Sequence, residues 1–180
     1  MRVITGKARG VALKTPEGLN TRPTADRVKE ALFSIIQFDI PNARVLDLFA
    51  GTGQLGIEAL SRGAKSAVFI DGQEDACKLV RENLKRTKLE QFAKVIRSDY
   101  ALFLKNCKET FDLILLDPPY QEKFLENALN LITEIDILQS GGIIVTERPV
   151  EKELEFEFPG YSRSKDYHYA KTILTLFRKD

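Results

Sequence analysis

Four aspartates each follow a short aliphatic run: Asp47 in RVLD, Asp71 in SAVFID, Asp99 in AKVIRSD and Asp117 in FDLILLD. In open parallel sheets, ligands bind in the crevice at the C-terminal ends of the strands, so acids there would supply a site rich in acceptors. The last of the four opens DPPY, residues 117–120. Two prolines make a rigid, extended backbone lacking two N–H donors. The carbonyls of Asp117 and Pro118 can then face the crevice, Asp117 adds a carboxylate, and Tyr120 adds a flat face for stacking. Pro119 holds that geometry. A planar group bearing N–H donors, such as the exocyclic amine of a nucleobase, has the complementary shape. The structural alternative for DPPY is a rigid strand-to-loop turn.

Such an amine needs acceptors to react. Its lone pair is delocalised into the ring, and hydrogen bonds to Asp117 and the Pro118 carbonyl draw the nitrogen toward tetrahedral geometry. Alignment of the amine with an electrophilic methyl supplies much of the remaining rate. A base in structured nucleic acid must first leave its stack, and Tyr120 can receive the flipped ring. Other chemistries have little support. Neither Cys77 nor Cys107 stands in a Pro-Cys context, His168 has no evident partner, and no cluster has metal-ligand spacing.

The stretch DLFAGTGQLG places Gly51, Gly53 and Gly56 in a GxGxxG pattern between a strand and a helix. Alone, this nominates a dinucleotide. Asp47 shifts the weight, because a carboxylate repels a pyrophosphate and attracts an ammonium. S-adenosylmethionine (SAM) carries an ammonium and no phosphate. The alternative for Asp47 is a loop-bracing acid. Asp71 follows the glycines at close to the 20-residue spacing at which an acid meets ribose hydroxyls, which suits NAD and SAM alike. Asp99 can accept from an adenine amino group, or cap the helix that starts near Tyr100.

The elements that must position these residues alternate. Runs 44–49, 66–71, 93–99, 111–117 and 141–147 read as strands. Segments 55–63, 74–87, 100–107 and 124–135 read as helices by their apolar spacing. Alternation of this kind predicts an α/β fold with a mostly parallel, seven-stranded sheet covered on both faces. After Pro149 the alternating KELEFEFPG and KTILTLFRK predict an antiparallel C-terminal hairpin. At the front, RVITGKARGVALKT reads as a small basic hairpin. RPTADRVKEALFSII (22–36) reads as a helix with Thr24 as its N-cap. The expectation is one domain, residues 1–180, with a basic extension (1–21) before a catalytic core (22–180).

Residues 1–29 hold seven basic side chains against two acidic, although the whole chain of 180 residues carries only +1. A basic segment beside an acidic body marks a polyanion partner, or simply a solvated arm. No apolar run reaches the roughly 18 residues needed to span a bilayer. The N-terminus has no apolar signal region. The expectation is a cytoplasmic monomer whose two cysteines form a buried, reduced pair.

DLFAGTGQLGIEALSRGA, Asp71, SDY, LLDPPY and SGGIIVTE together resemble the motif series of the Rossmann-like class I SAM-dependent methyltransferases. The N-terminal RVITGKARG and TRPTADRVKEALFSII look like those of the RsmD-type enzymes, which methylate the N2 amino group of a guanine in 16S ribosomal RNA. The resemblance implies that Asp47, Gly51 and Gly53 face the methionine end of SAM, Asp71 the ribose and Asp99 the adenine. Phe49 and Tyr100 join that cofactor set. Asp117, Pro118, Pro119 and Tyr120 would meet the target amine. Arg22 to Thr24 would lie near the cofactor carboxylate or the RNA, and Lys7, Arg9 and Arg27 would contact RNA phosphates. The implied partner is 16S rRNA or the small ribosomal subunit, with no membrane and no metal. Gly72 and Ala170 depart from the family pattern: a larger polar residue usually follows the acid, and a glycine commonly follows the tyrosine. Competing readings are an adenine-N6 methyltransferase on RNA or DNA, an NAD-dependent oxidoreductase built on GTGQLG, and a non-catalytic RNA-binding assembly factor.

Overall fold

Five apolar runs build the centre of the sheet. The computed structural model describes residues 1–18, 23–120 and 123–180, without the side chains of Pro23 and Thr24. In chain order the elements are α1 (Pro23–Ile35), β1 (Arg44–Asp47), α2 (Gln54–Ser61), β2 (Ser66–Asp71), α3 (Glu74–Thr87), β3 (Ala93–Arg97) and α4 (Tyr100–Asn106). They continue with β4 (Phe111–Leu116), α5 (Phe124–Ile135), β5 (Leu138–Pro149), β6 (Tyr161–Arg163), β7 (Tyr167–Tyr169) and β8 (Thr172–Lys179). The strand order is β3-β2-β1-β4-β5-β8-β6, with β7 also on β8. β1 to β5 are parallel, and β6, β7 and β8 run antiparallel. The chain winds outward from β1 to β3, then returns to β4 on the other side of β1. This reversal opens a crevice above β1 and β4.

Residues of alternate parity cover the two faces. Val45, Phe69, Leu113 and Val145 pack with α1, α2, α3 and the N-terminal segment. Leu46, Ile70, Ile114 and Ile144 pack with α4, α5, Leu154 and Phe156. Among the described residues, no helix is long and apolar enough to cross a membrane.

Two expectations change at the C-terminal edge. KELEFEF does not enter a ladder. Its alternation buries Leu154 and Phe156, the latter edge-on to Phe177 at 5.2 Å. Side chains serve part of its backbone instead, with Arg148 Nε donating to the Lys152 carbonyl and Arg163 Nη1 to that of Leu154. Period-two alternation reports a buried face, not a paired backbone. β8 pairs instead with β6 at one end and β7 at the other, so the sheet has eight strands where seven were expected. The break between β6 and β7 carries Asp166, which accepts from the buried Arg148 at 2.7 Å and from Thr175 Oγ1 at 2.6 Å. A buried guanidinium needs that counter-charge, and supplying it interrupts the edge strand. His168 lies exposed on β7.

The N-terminal segment closes as a hairpin-like loop with one bridge, Arg2 opposite Ala12. It is anchored on α2 rather than left as a solvated arm. Glu58, fully buried, accepts from the Ile4 and Thr5 amides at 2.9 and 3.0 Å and from Arg62 Nε at 2.9 Å. Lys29 Nζ lies 3.8 Å from the same carboxylate and donates to the Arg2 carbonyl. One of the seven basic residues of the segment is therefore internal. Ser61 Oγ donates to the Thr5 carbonyl and accepts from the Ala8 amide. A Cβ on Gly6 would fall 1.8 Å from the Ser61 carbonyl oxygen. TGKARG and EALSRG are thus two halves of one contact. Helix α1 begins at Pro23, so Thr24 lies inside it and not at its cap.

Candidate functional site

The register of the central strands gathers the acids. Asp47 is level with Phe69 of β2 and Leu115 of β4, so Asp71 and Asp117, two residues further on, share its face of the sheet. They open onto a cavity of about 570 Å³, whose lining includes Asp47, Phe49, Gly51, Asp71, Asp99, Tyr100 and DPPY, residues 117–120. That volume suits a ligand of cofactor size. Among the described residues, no lysine or arginine lines it.

Asp47 is buried, and its Oδ2 accepts from the Gly56 amide at 3.0 Å. Burial pushes its carboxyl up to about 7, with Asp117 and Asp71 adding to the rise against the Gly56 hydrogen bond. Asp71 braces the glycine loop: Oδ2 accepts from the Gly51 amide and Oδ1 from the Gln73 amide, both at 2.9 Å. Each oxygen keeps a lone pair for a further donor. Asp99 is the N-cap of α4, accepting from the Leu102 amide at 3.0 Å, and it also lines the cavity. Asp99 is thus a helix cap whose residue also borders the cavity.

The three glycines divide their work. Gly51 meets the cavity, whereas Gly53 lies behind the wall as the left-handed N-cap of α2, at φ 79°. Gly56 admits close packing, since a Cβ there would fall 2.3 Å from the Phe69 ring. Gly72 also lines the cavity, with room beside it: its Cβ would come no nearer than 3.9 Å to Ser98. Ala170 holds a left-handed φ of 53° before β8, a backbone that favours the glycine expected there.

Phe49, Tyr100 and Phe124 form an aromatic corner, with centroids 5.1 Å apart for the first two and 5.5 Å for Tyr100 and Phe124. Tyr120 is exposed at the rim. Burial, with the charges of Asp117, Glu147 and Glu151, pushes its phenol up.

Met1, Gln73 and Phe124 line the cavity from outside the motifs, and Gln54 and Ser98 line it from within DLFAGTGQLG and SDY. Gln54 Oε1 is buried and, among the described residues, has no hydrogen-bond partner. GGIIVTE ends in an acid, Glu147, as the other four runs do. Thr146 is level with Leu116, so Glu147 stands beside Asp117. Burial raises both carboxyls, and the charge of Asp117 raises Glu147 further.

The expected RNA contacts lie apart from this cavity. Arg9 and Arg27, both exposed, line a second recess with Arg2, Asp26 and Glu30. Lys7 Nζ sits 5.6 Å from the Phe92 ring centroid. Arg22 lies outside the described residues, as does the side chain of Thr24. Both cysteines are free thiols, but only Cys77 is buried; Cys107 is half-buried, because α4 ends beside it at the surface.

Residues 1–178 match the family model described as "Conserved hypothetical protein 95". The Bacillus subtilis protein named "Putative rRNA methyltransferase YlbH" is 42% identical over 182 residues, covering 99% of each chain. "Ribosomal RNA small subunit methyltransferase D" of Escherichia coli K12 is 36% identical, covering all of this chain and 90% of that one. The solved structure of "Putative methyltransferase yhhF from Escherichia coli" superposes with a TM-score of 0.90 at 33% identity, over 100% of this chain and 98% of that one. The chain belongs to the conserved hypothetical protein 95 family, and its fold is that of the class I methyltransferases.

Proposed function

We propose that this family member is a SAM-dependent methyltransferase acting on the N2 amino group of a guanine in 16S ribosomal RNA. The observation that carries the reading is a cofactor-sized cavity lined by four strand-end carboxylates and by no lysine or arginine among the described residues. A pyrophosphate would meet repulsion there, which disfavours NAD. A cationic ligand suits it. The buried Asp47 carboxylate and the unpartnered Gln54 Oε1 are both acceptors that an ammonium satisfies. Asp71 then receives the ribose hydroxyls. Asp99 and the aromatic corner of Phe49, Tyr100 and Phe124 receive the adenine.

When bound, SAM would supply an electrophilic methyl group; the amine would give up one proton on accepting it, and the sulfonium would be left as a neutral thioether. Asp117 and the Pro118 carbonyl hold the amine's two hydrogens and turn its lone pair toward that methyl. The raised pKa of Asp117 suits it to accept the departing proton near neutrality. Tyr120 stacks on the extruded base. Arg9, Arg27 and Lys7 attract RNA phosphates from the neighbouring surface. The names of the relatives, both rRNA methyltransferases, support the substrate class.

The test offers labelled SAM to small ribosomal subunits that lack the modification, with naked 16S RNA alongside. Label on guanine N2 is the expected result. Label on adenine N6, or none in either substrate, would overturn the assignment.

A further inference from the structure

Asp117 has a neighbour that the methyl-transfer chemistry leaves unused. Glu147 lies within β5, level with Asp117 just after β4, because Leu116 and Thr146 are paired. The two carboxyls therefore emerge side by side on one face of the sheet. Glu147 lines a small recess on the outer side of DPPY, with Pro118, Pro119, Tyr120 and Leu125. Among the described residues it has no ion-pair partner. Arg148 and Lys152 border the same recess, and the Arg148 guanidinium donates to Asp166 and Thr175.

Two half-buried carboxyls set side by side favour a shared proton or a donor-rich ligand between them. The Watson–Crick edge of guanine offers that ligand, with N1–H beside the N2 amine. Adenine presents one amine beside a bare N1 lone pair, which a carboxylate repels. We propose that Glu147 reads the N1–H of the target base, while Asp117 and the Pro118 carbonyl hold its N2 amine. Glu147 is then the residue that selects guanine over adenine at an amine site suited to either. This inference rests on the methyltransferase reading above.

A base analogue separates the two. 2-Aminopurine keeps the C2 amine but has no N1–H, so it is placed at the target position of the substrate that accepts label. Wild-type protein should methylate guanine at least about tenfold better in kcat/KM than 2-aminopurine, the order expected for one base-edge contact. Glu147→Gln, whose amide can donate to a bare N1, should shrink that ratio by roughly tenfold while SAM affinity stays unchanged. Equal rates on the two purines in the wild type would refute the inference without any variant. So would a Glu147→Gln that slows both purines by the same factor. Glu147→Asp, which keeps the charge but shortens the reach, should slow guanine more than 2-aminopurine, and the reverse order counts against the proposal. If the wild type leaves guanine N2 unmethylated altogether, the methyltransferase assignment fails first and this inference falls with it.

Discussion

Asp47→Asn should remove a pH-dependent loss of stability and weaken the protein's hold on SAM, and pH separates the two effects. The buried carboxyl is raised from 3.8 to about 7, chiefly by burial. The folded state therefore holds a proton that the unfolded chain has already released. For such a group, stability is highest below the unfolded pKa and falls as pH rises toward the folded pKa. Between about pH 5 and pH 8, roughly two pK units of this loss accrue, or about 3 kcal/mol. Asparagine does not titrate, so the variant should gain about 3 kcal/mol over the wild type across that interval. The shape is nearly unchanged, and the carbonyl oxygen of the introduced amide can still accept from the Gly56 N–H. Its buried NH₂ costs about 1–3 kcal/mol at every pH, which offsets the curve without altering its slope. Urea unfolding of both proteins at several pH values measures the difference directly. Calorimetry should show SAM binding reduced about tenfold or more, because a charged acceptor facing the ammonium is lost. A stability difference that is flat from pH 5 to 8 would refute the argument, since it would mean that Asp47 titrates like an exposed carboxyl.

Asp117→Ala should lower methyl transfer by about 100-fold or more with SAM affinity retained, measured by single-turnover label transfer and calorimetry. Retained transfer would remove Asp117 from the chemistry. Gly56→Ala should destabilise by roughly 1–3 kcal/mol in urea unfolding, because its Cβ meets the Phe69 ring at 2.3 Å between α2 and β2. Arg9→Ala and Arg27→Ala should each weaken RNA binding and reduce the salt slope by about 1, leaving SAM affinity unchanged; an unaltered slope would move the RNA surface elsewhere. Ala170→Gly should raise stability by up to about 1 kcal/mol, since φ is 53° there.

Much of the fold is legible in the chain because its signals are local. Each of β1 to β4 is a short aliphatic run with an acid at or just beyond its end, and α2, α3 and α5 show apolar residues at helical spacing. The four aspartates are legible for the same reason: the end of a buried strand is visible one residue at a time. KELEFEF was misleading because alternation records which side chains are buried and not what the backbone pairs with. The N-terminal TGKARG was read for its charge. Its glycine and amides turn out to serve the contact with Glu58 and Ser61, which lie more than fifty residues away.

By itself, the sequence determined the order of strands and helices from β1 to β5, the glycine turn and the acceptor-rich DPPY, all properties of neighbouring residues. Tertiary structure alone decided which acids share a cavity. The reversal of strand order after β3 places β4 against β1, so Asp47 and Asp117, seventy residues apart, repel one another across a single cavity. The same parallel pairing sets Glu147 beside Asp117 and raises its carboxyl. Burial and charge repulsion act through space, and only the folded sheet sets those distances.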